Sequence, residues 1–330
     1  MIISKTPFRI SFFGGGTDYP VWIREHGGAV LGTTIDKYSY ITSRYLPPFF
    51  NHKYRIVYSK MENVKSVNDV DHPSVRECIR FTNTNRQSGL EIHHDSDLPA
   101  RSGLGSSSTF TVGLLNCLNS LKGESSSKGK LAKDAIYVEQ DLIGESVGCQ
   151  DQIHAAYGGF NHIEFFQDGS FKVNPVIIKS EITHDLQDHC LLFFTGFSRF
   201  ASDIASKQIK KTPEKKKELY IMQSMVVDAL KILNGNNASI KDFGKLLHES
   251  WKLKRSLTNR ITNDIINNIY ETAIKAGADG GKLLGAGGGG FILFIAKPEL
   301  HETIKEQLKN LLYVPFKFDN TGTSIIFNSC

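Results

Sequence analysis

The chain is short of cysteine, of long apolar runs and of the commonest nucleotide-binding signatures, and each shortage narrows what it can be. Five cysteines in 330 residues (Cys78, Cys117, Cys149, Cys190 and Cys330) are odd in number and form no CxxC pair. Unpaired buried thiols in a reducing compartment, the cytoplasm, are therefore expected. No apolar run approaches the length of about 18 residues that a membrane span needs. The opening MIISKTPFRISFF lacks both the basic-then-apolar pattern and the small-residue cleavage site of a secretory signal. GxxxxGK[ST] occurs nowhere, which excludes a Walker loop. The dinucleotide fingerprint fails at Gly103 and Gly105, because its third glycine would fall on Ser108. It is met formally at Gly285, Gly287 and Gly290, but FILFI follows there, a strand run where the fingerprint needs a helix. Excess charge is also small. Thirty-nine basic against 34 acidic residues leave +5, which does not by itself imply nucleic acid. The lysine-rich stretch Lys207–Lys217 carries no interleaved aromatics and reads as a solvated segment. What remains, at 40% hydrophobic and 22% charged, is an ordinary globular chain long enough for two domains or one large one.

The most informative stretch is LPARSGLGSSS, from Leu98 to Ser108. After it, Phe110, Leu114, Leu118 and Leu121 recur at helical spacing. Gly103 and Gly105 permit close backbone approach, and Ser106, Ser107 and Ser108 fall where a helix begins. Free N–H groups and the positive end of the helix dipole make such a start an anion site, most naturally for phosphate. The plainer alternative is a serine-capped helix after a glycine turn.

Ahead of that stretch, residues 2–13 alternate as a half-buried strand and run into GGGTDYP. Three glycines suggest a backbone approached closely by something else, with Thr17 and Asp18 presented beside it; a mobile turn is the alternative. Strand-like runs follow at Ala29–Ile35, Tyr38–Arg44, Tyr54–Ser59 and Leu90–His93, separated by turn signals. In the helix after Lys130, Leu131, Ala135, Val138 and Leu142 form one stripe, and Glu139 lies inside the apolar arc. A carboxylate there needs a partner, either a basic side chain or a metal ion held jointly with phosphate oxygens. Asp151, in GCQDQIHAAYGGF, falls at a helix start, where capping is the simplest role. Phe160–Phe166 reads as a strand, with a hairpin turn at 167–170 and Phe171–Val173 after it. A second region opens near residues 181–189, with a strand at Cys190–Phe194 and the loop Thr195–Arg199. Helices are expected at 219–234, 239–257 and 262–276, then the glycine loop, FILFI, a helix after Pro298, and strands at Val314–Phe318 and Thr323–Phe327. The order implies an α+β sandwich.

Three stretches together resemble the galactokinase–homoserine kinase–mevalonate kinase–phosphomevalonate kinase (GHMP) superfamily. LPARSGLGSSS is similar to its phosphate loop, KLLGAGGGGF to its C-terminal glycine motif, and TPFRISFFGGGTDYP to the sugar-side motif of its galactokinase branch. The likeness covers essentially the whole chain. It implies a two-domain fold: residues 1–185 as an ATP- and sugar-binding domain like the second domain of a small-subunit ribosomal protein, and residues 186–330 as a ferredoxin-like α/β sandwich. The active site would lie in the cleft between them. Arg9, Thr17, Asp18 and Tyr19 match the galactokinase branch, but Gly14-Gly15-Gly16 stands where those enzymes carry Gly-Glu-His. That triple glycine is similar to the heptose kinases and fucokinases.

The resemblance implies an ATP- and Mg2+-dependent kinase for a small-molecule phosphosugar, with heptose 7-phosphate phosphorylated at its anomeric hydroxyl, and no nucleic acid or membrane partner. Gly103, Leu104, Gly105, Ser106, Ser107 and Ser108, with Arg101 beside them, would hold ATP. Ser107 and Glu139 would ligate the metal, although Ser108, in place of the usual alanine, leaves Ser106 or Ser108 as alternatives. Asp151 would accept the sugar hydroxyl's proton with Arg9 beside it, and Gly15, Gly16, Thr17 and Asp18 would meet the sugar. Arg199, Arg101, Lys252 and Arg255 are candidates for a distal phosphate. Gly285, Gly287, Gly288 and Gly289 would form a structural loop packing on the phosphate loop.

Overall fold

The computed structural model describes residues 1–84, 89–196, 201–235 and 238–329, with backbone alone for 201–203. Among them the chain forms two sheets with helices packed on both. The first sheet starts from β1 (Ile2–Phe13), whose last eight residues are all buried. Helix α1 (Pro20–His26) leads to β2 (Gly28–Leu46), which pairs antiparallel with β1. The two strands expected on either side of Asp36 and Lys37 are one. A bulge absorbs the misfit, since Pro7 faces Tyr38 while Arg9 faces Thr34, two steps on β1 against four on β2. Turn-prone residues were accommodated inside a strand because the tertiary pairing continues past them. The sheet continues with β3 (Tyr54–Val57), β4 (Met61–Val64), β5 (Gly89–Ser96), β6 (Asn161–Phe165) and β7 (Phe171–Pro175). Only β3 and β5 run parallel.

One face of this sheet carries α2 (Pro73–Thr82), α3 (Ser106–Leu121), α4 (Lys128–Tyr137) and α5 (Gln150–Tyr157). Periodicity predicts one apolar stripe on α3, yet every residue from Ser108 to Asn119 is buried. The helix is central, packed on β1 and β2 and flanked by three other helices. A helix enclosed all round gains from small residues such as Gly113, where a Cβ would stand 2.7 Å from the Thr6 hydroxyl.

After α6 (Ser180–Asp188) the second sheet forms from β8 (Cys190–Phe194), β9 (Gly280–Leu283), β10 (Phe291–Ile295) and β11 (Leu312–Tyr313), ordered β11-β8-β10-β9 and antiparallel throughout. Around it lie α7 (Ala201–Lys211), α8 (Lys216–Asn234), α9 (Ile240–Leu257), α10 (Asp264–Lys275) and α11 (His301–Gln307). β9 hides in the sequence because two of its four residues are glycine. They are needed for helix contact, since a Cβ on Gly280 would sit 1.9 Å from the Gly244 carbonyl of α9. The strand expected at Val314–Phe318 is replaced by β11 and β12 (Phe318–Asp319). β12 and β13 (Ser324–Asn328) then return to the first sheet, beside β2 and β1. The chain's last strands thus lie outside the second sheet, which a division at 185/186 would not anticipate. An aromatic core joins the two sheets: Phe12 and Phe13 meet Phe243 of α9 edge-on at 5.4 and 5.1 Å.

Candidate active site

Between β5 and α3 the chain turns through left-handed conformations at Arg101, Gly103 and Gly105 (φ 59°, 86° and 81°). At Gly103 glycine is required twice over, because a Cβ would also stand 2.5 Å from the Leu284 carbonyl. Leu104 contributes backbone only; its side chain is fully buried and its carbonyl accepts from the Arg9 amide at 3.1 Å. Gly105 is the N-cap of α3 and offers no side-chain cap, so the N–H groups of the first turn are available to a ligand. Ser106, Ser107 and Ser108 occupy that turn and border a cavity of about 290 Å3.

The three serines have different fates. Ser106 Oγ accepts from the Arg101 amide at 3.0 Å, Ser107 is exposed, and Ser108 Oγ donates to Glu139 Oε2 at 2.8 Å. Glu139 sits in a π-helical turn, Val138–Leu142, that continues α4, a distortion often found at functional sites. It is fully buried, with Gln152 Nε2 as its second donor at 2.5 Å and no partner for Oε1. Burial pushes its carboxyl up to about 7. No basic side chain pairs with it among the described residues, so the ion-pair alternative fails. The all-oxygen pair Ser108–Glu139, with an orphaned carboxylate oxygen, fits Mg2+, which commonly takes one or two carboxylates plus substrate phosphates. Among the described residues no group of three His, Cys, Asp or Glu gathers as a fuller cage. Glu139 itself does not border the cavity; Ser108 stands between.

Across the cavity, the Arg9 guanidinium grips Asp151 with two bonds, Nε to Oδ1 at 2.8 Å and Nη2 to Oδ2 at 2.7 Å. Its Nη1 donates to the Gly103 carbonyl at 2.7 Å. Arg9 is buried while Asp151 keeps 26% side-chain exposure. Asp151 lies in the first turn of α5, but Cys149 holds the N-cap position, so capping is not its role. Asp18 Oδ1 accepts from the Gly16 amide and Oδ2 from Gln150 Nε2, both at 2.9 Å. Burial raises its pKa. Gly15 and Gly16 line the cavity. Thr17 does not: its hydroxyl donates to the Gly14 and Ala29 carbonyls at 2.8 and 2.9 Å and accepts from the Ala29 amide. A side chain that ties the glycine turn to β2 in this way has no donor to spare for a sugar.

The glycine loop at 285–290 packs against the turn that opens α3. Gly285 and Gly290 have positive φ, and a Cβ on them would reach 2.5 Å from Gly103 Cα and 2.2 Å from the Ser102 carbonyl. Gly287 lies against Ile261, and Gly288 donates its amide to the Ile261 carbonyl; Gly288 and Gly289 also have positive φ. Of the distal-phosphate candidates, Arg101 borders the cavity, and Arg199 falls outside the described residues. Lys252 is exposed and paired with Glu249 at 2.8 Å, while Arg255 donates to Asn267 and lies near the Trp251 and Tyr270 rings. Neither lines the cavity. Their helix neighbour Lys254 does, with Lys282 of β9 and Gln208 of α7. Sequence reasoning missed these three. Lys254 lies between two of those candidates, Lys252 and Arg255, in the sequence, and only the face of α9 that turns inward sets it apart.

Comparison with known proteins places this arrangement. Residues 74–159 match the GHMP kinases N terminal domain and residues 228–314 the GHMP kinases C terminal domain. The chain is 31% identical to D-glycero-alpha-D-manno-heptose 7-phosphate kinase of Campylobacter jejuni, over 97% of both chains. It is 25% identical, over 92% of its own length and 31% of the relative's, to the bifunctional fucokinase/GDP-fucose pyrophosphorylase of Arabidopsis thaliana. A crystal structure of a D-glycero-D-manno-heptose 1-phosphate kinase from Bacteroides thetaiotaomicron superposes over 100% of both chains with a TM-score of 0.79 and 25% identity. Mevalonate kinase of Methanococcus jannaschii, 20% identical, shares the fold with a TM-score of 0.73 over 96% of this chain and 98% of that one. The protein is a phosphotransferase whose acceptor is an alcohol. It belongs to the GHMP kinase family, whose members use ATP as co-substrate.

Proposed function

We propose that the protein transfers the γ-phosphoryl group of ATP to the anomeric C1 hydroxyl of D-glycero-D-manno-heptose 7-phosphate, forming the 1,7-bisphosphate used to build nucleotide-activated heptoses. The observation that carries a transfer reaction is the single cavity bordered by both the α3 N-terminus and the Arg9–Asp151 pair. The end-to-end likeness to the Campylobacter heptose kinase supports the acceptor. Phosphoryl transfer is mostly positioning and charge stabilisation. The first-turn amides of α3 would cradle the β- and γ-phosphates. Ser108 and Glu139, or Ser107 after a side-chain rotation, would hold Mg2+, which when bound neutralises phosphate charge. Arg9 occupies two of the roughly four acceptor positions that a carboxylate offers. Asp151 therefore retains capacity to orient the sugar hydroxyl and take its proton. Through the bond from Arg9 to Gly103, the base and the phosphate loop are held in one frame. Asp18, fixed by Gly16 and Gln150, would accept from another sugar hydroxyl.

The test is ADP release with Mg2+ and ATP on heptose 7-phosphate, heptose 1-phosphate, free heptose, mannose, fucose and galactose, with phosphorus NMR of the product. New phosphate on C1 of the 7-phosphate alone is the expected result. Turnover of the 1-phosphate would reverse the order of phosphorylation, and turnover of a free sugar would favour the fucokinase-like reading. Silence across the panel would favour a catalytically inactive sugar-binding regulator.

A further inference from the structure

The second sheet and its helix bring two lysines to the cavity that form no salt bridge with a carboxylate among the described residues. Lys254 of α9 is 5% exposed and Lys282 of β9 is 2% exposed. Each ammonium has a single partner, a backbone carbonyl: Lys254 Nζ donates to Gly285 O at 2.5 Å, and Lys282 Nζ to Phe12 O at 2.8 Å. An ammonium carries three donors, so each has capacity left, and both side chains border the cavity that holds Asp18 and Asp151. Burying one unpaired cation is costly and burying two side by side more so. Burial disfavours both ammonium groups, as do the positive charges of Arg9 on each and of Lys254 on Lys282; Asp18, and for Lys254 also Asp151, offset this only in part. Tying α9 and β9 to neighbouring carbonyls does not require charge; a neutral donor would serve without the desolvation cost. The cost is recovered if an anion enters the cavity. In the reading above the nucleotide takes the backbone amides of α3, which leaves the lysines for a second anion.

We propose that Lys254 and Lys282 form an anion subsite that takes the phosphate already carried by the acceptor, and that they set the preference for a phosphorylated over an unphosphorylated sugar. This rests on the heptose phosphate reading above. It moves the distal-phosphate contact from Lys252 and Arg255, which face away, to the inward face of the same helix and to β9.

Titration calorimetry on the full chain, without nucleotide, compares D-glycero-D-manno-heptose 7-phosphate with the free heptose, and MgATP separately. Lys254→Gln and Lys282→Gln are each expected to weaken binding of the 7-phosphate roughly 10- to 100-fold, the usual scale for a charge-assisted bond. Affinity for the free heptose and for MgATP should hold. Equal weakening for both sugars would make the lysines structural, and weakening for MgATP alone would assign them to the nucleotide; either overturns the subsite. Should both variants fail to fold, phosphorus NMR of the wild-type complex decides. The second ionisation of the bound sugar phosphate should fall to lower pH than in the free sugar, and an unshifted titration overturns the proposal. If wild-type protein turns over the 7-phosphate while the variants keep its preference, the subsite falls and the functional reading stands. If wild-type protein does not bind the 7-phosphate, both fall.

Discussion

The two walls of the cavity are made of different material. The wall at the start of α3 is backbone: glycines at 103, 105 and 285, with Gly290 packed behind them, take left-handed conformations and interlock so closely that a methyl group on three of the four would lie within 2.5 Å of a neighbouring main-chain atom. The opposite wall, where we place the acceptor, is side chain: Arg9, Asp18, Asp151, Lys254 and Lys282, all ionisable, reach one volume from β1, the turn after it, α5, α9 and β9. Shape limits the first wall and charge balance limits the second. Substitutions should therefore fail for different reasons on the two sides.

The sharpest break is Asp151→Asn. Removing the charge while keeping the shape should lower turnover by about 10²–10⁴-fold, the range general-base help supplies, with MgATP affinity retained. Near-normal turnover in a variant with native circular dichroism would remove Asp151 from the base role. On the loop wall the counterpart is Gly290→Ala, with φ at 103° and a Cβ 2.2 Å from the Ser102 carbonyl. About 1–3 kcal/mol of stability should go, through strain and displaced packing. At about 1.4 °C per kcal/mol for a chain of this size, that is a drop of roughly 1–4 °C in Tm, accompanied by weaker MgATP binding. Gly123→Ala is the control. Its φ is 77° but nothing lies within 4 Å of the added carbon, so stability alone should change, by about 1 kcal/mol. Were Gly290→Ala to melt and bind MgATP like wild type, the interlock would not be what shapes the loop.

The two walls also differed in how far the sequence revealed them. Glycine and serine at the start of a helical pattern have few uses, so Gly103 to Ser108 and Gly285 to Gly290 were legible from residue type and order. Arg9 and Asp151 could be paired because the family resemblance placed them together; nothing in a separation of 142 residues does so. Lys254 was out of reach, since HESWKLKRSL offers three cations in four positions and only the packing of α9 turns the middle one inward. Thr17 is ambiguous in sequence for a related reason: a threonine beside a glycine turn can face a ligand or fasten the turn, and here its hydroxyl goes to the Gly14 and Ala29 carbonyls. The strand β9 was lost because its glycines serve α9 rather than a turn.

Ser108→Ala sharpens the boundary between the walls, where a loop hydroxyl meets a buried carboxylate. Glu139 would lose the Ser108 donor and keep Gln152. A loss of turnover of roughly tenfold or more, a charge-assisted bond's worth, partly restored by higher Mg2+, is expected. Ser107→Ala should do less; if it does more, the metal belongs to Ser107.

The walls also separate by pH. Burial, and then Arg9, hold the Lys254 ammonium down to about 8 from an ordinary 10.5. Between those values the unfolded chain binds the proton more tightly than the folded one. Lys254's contribution to stability therefore rises with pH across that window, by at most about 1.4 kcal/mol per unit. Acceptor affinity should move the other way, falling as the ammonium is lost, with the fall displaced upward by a bound anion. The backbone wall has no group to titrate, so MgATP affinity should hold over the same range. Lys254→Gln should flatten the acceptor profile and remove this lysine's part of the stability slope. An acceptor profile that keeps its slope in that variant would assign the titration to another group on the charged wall.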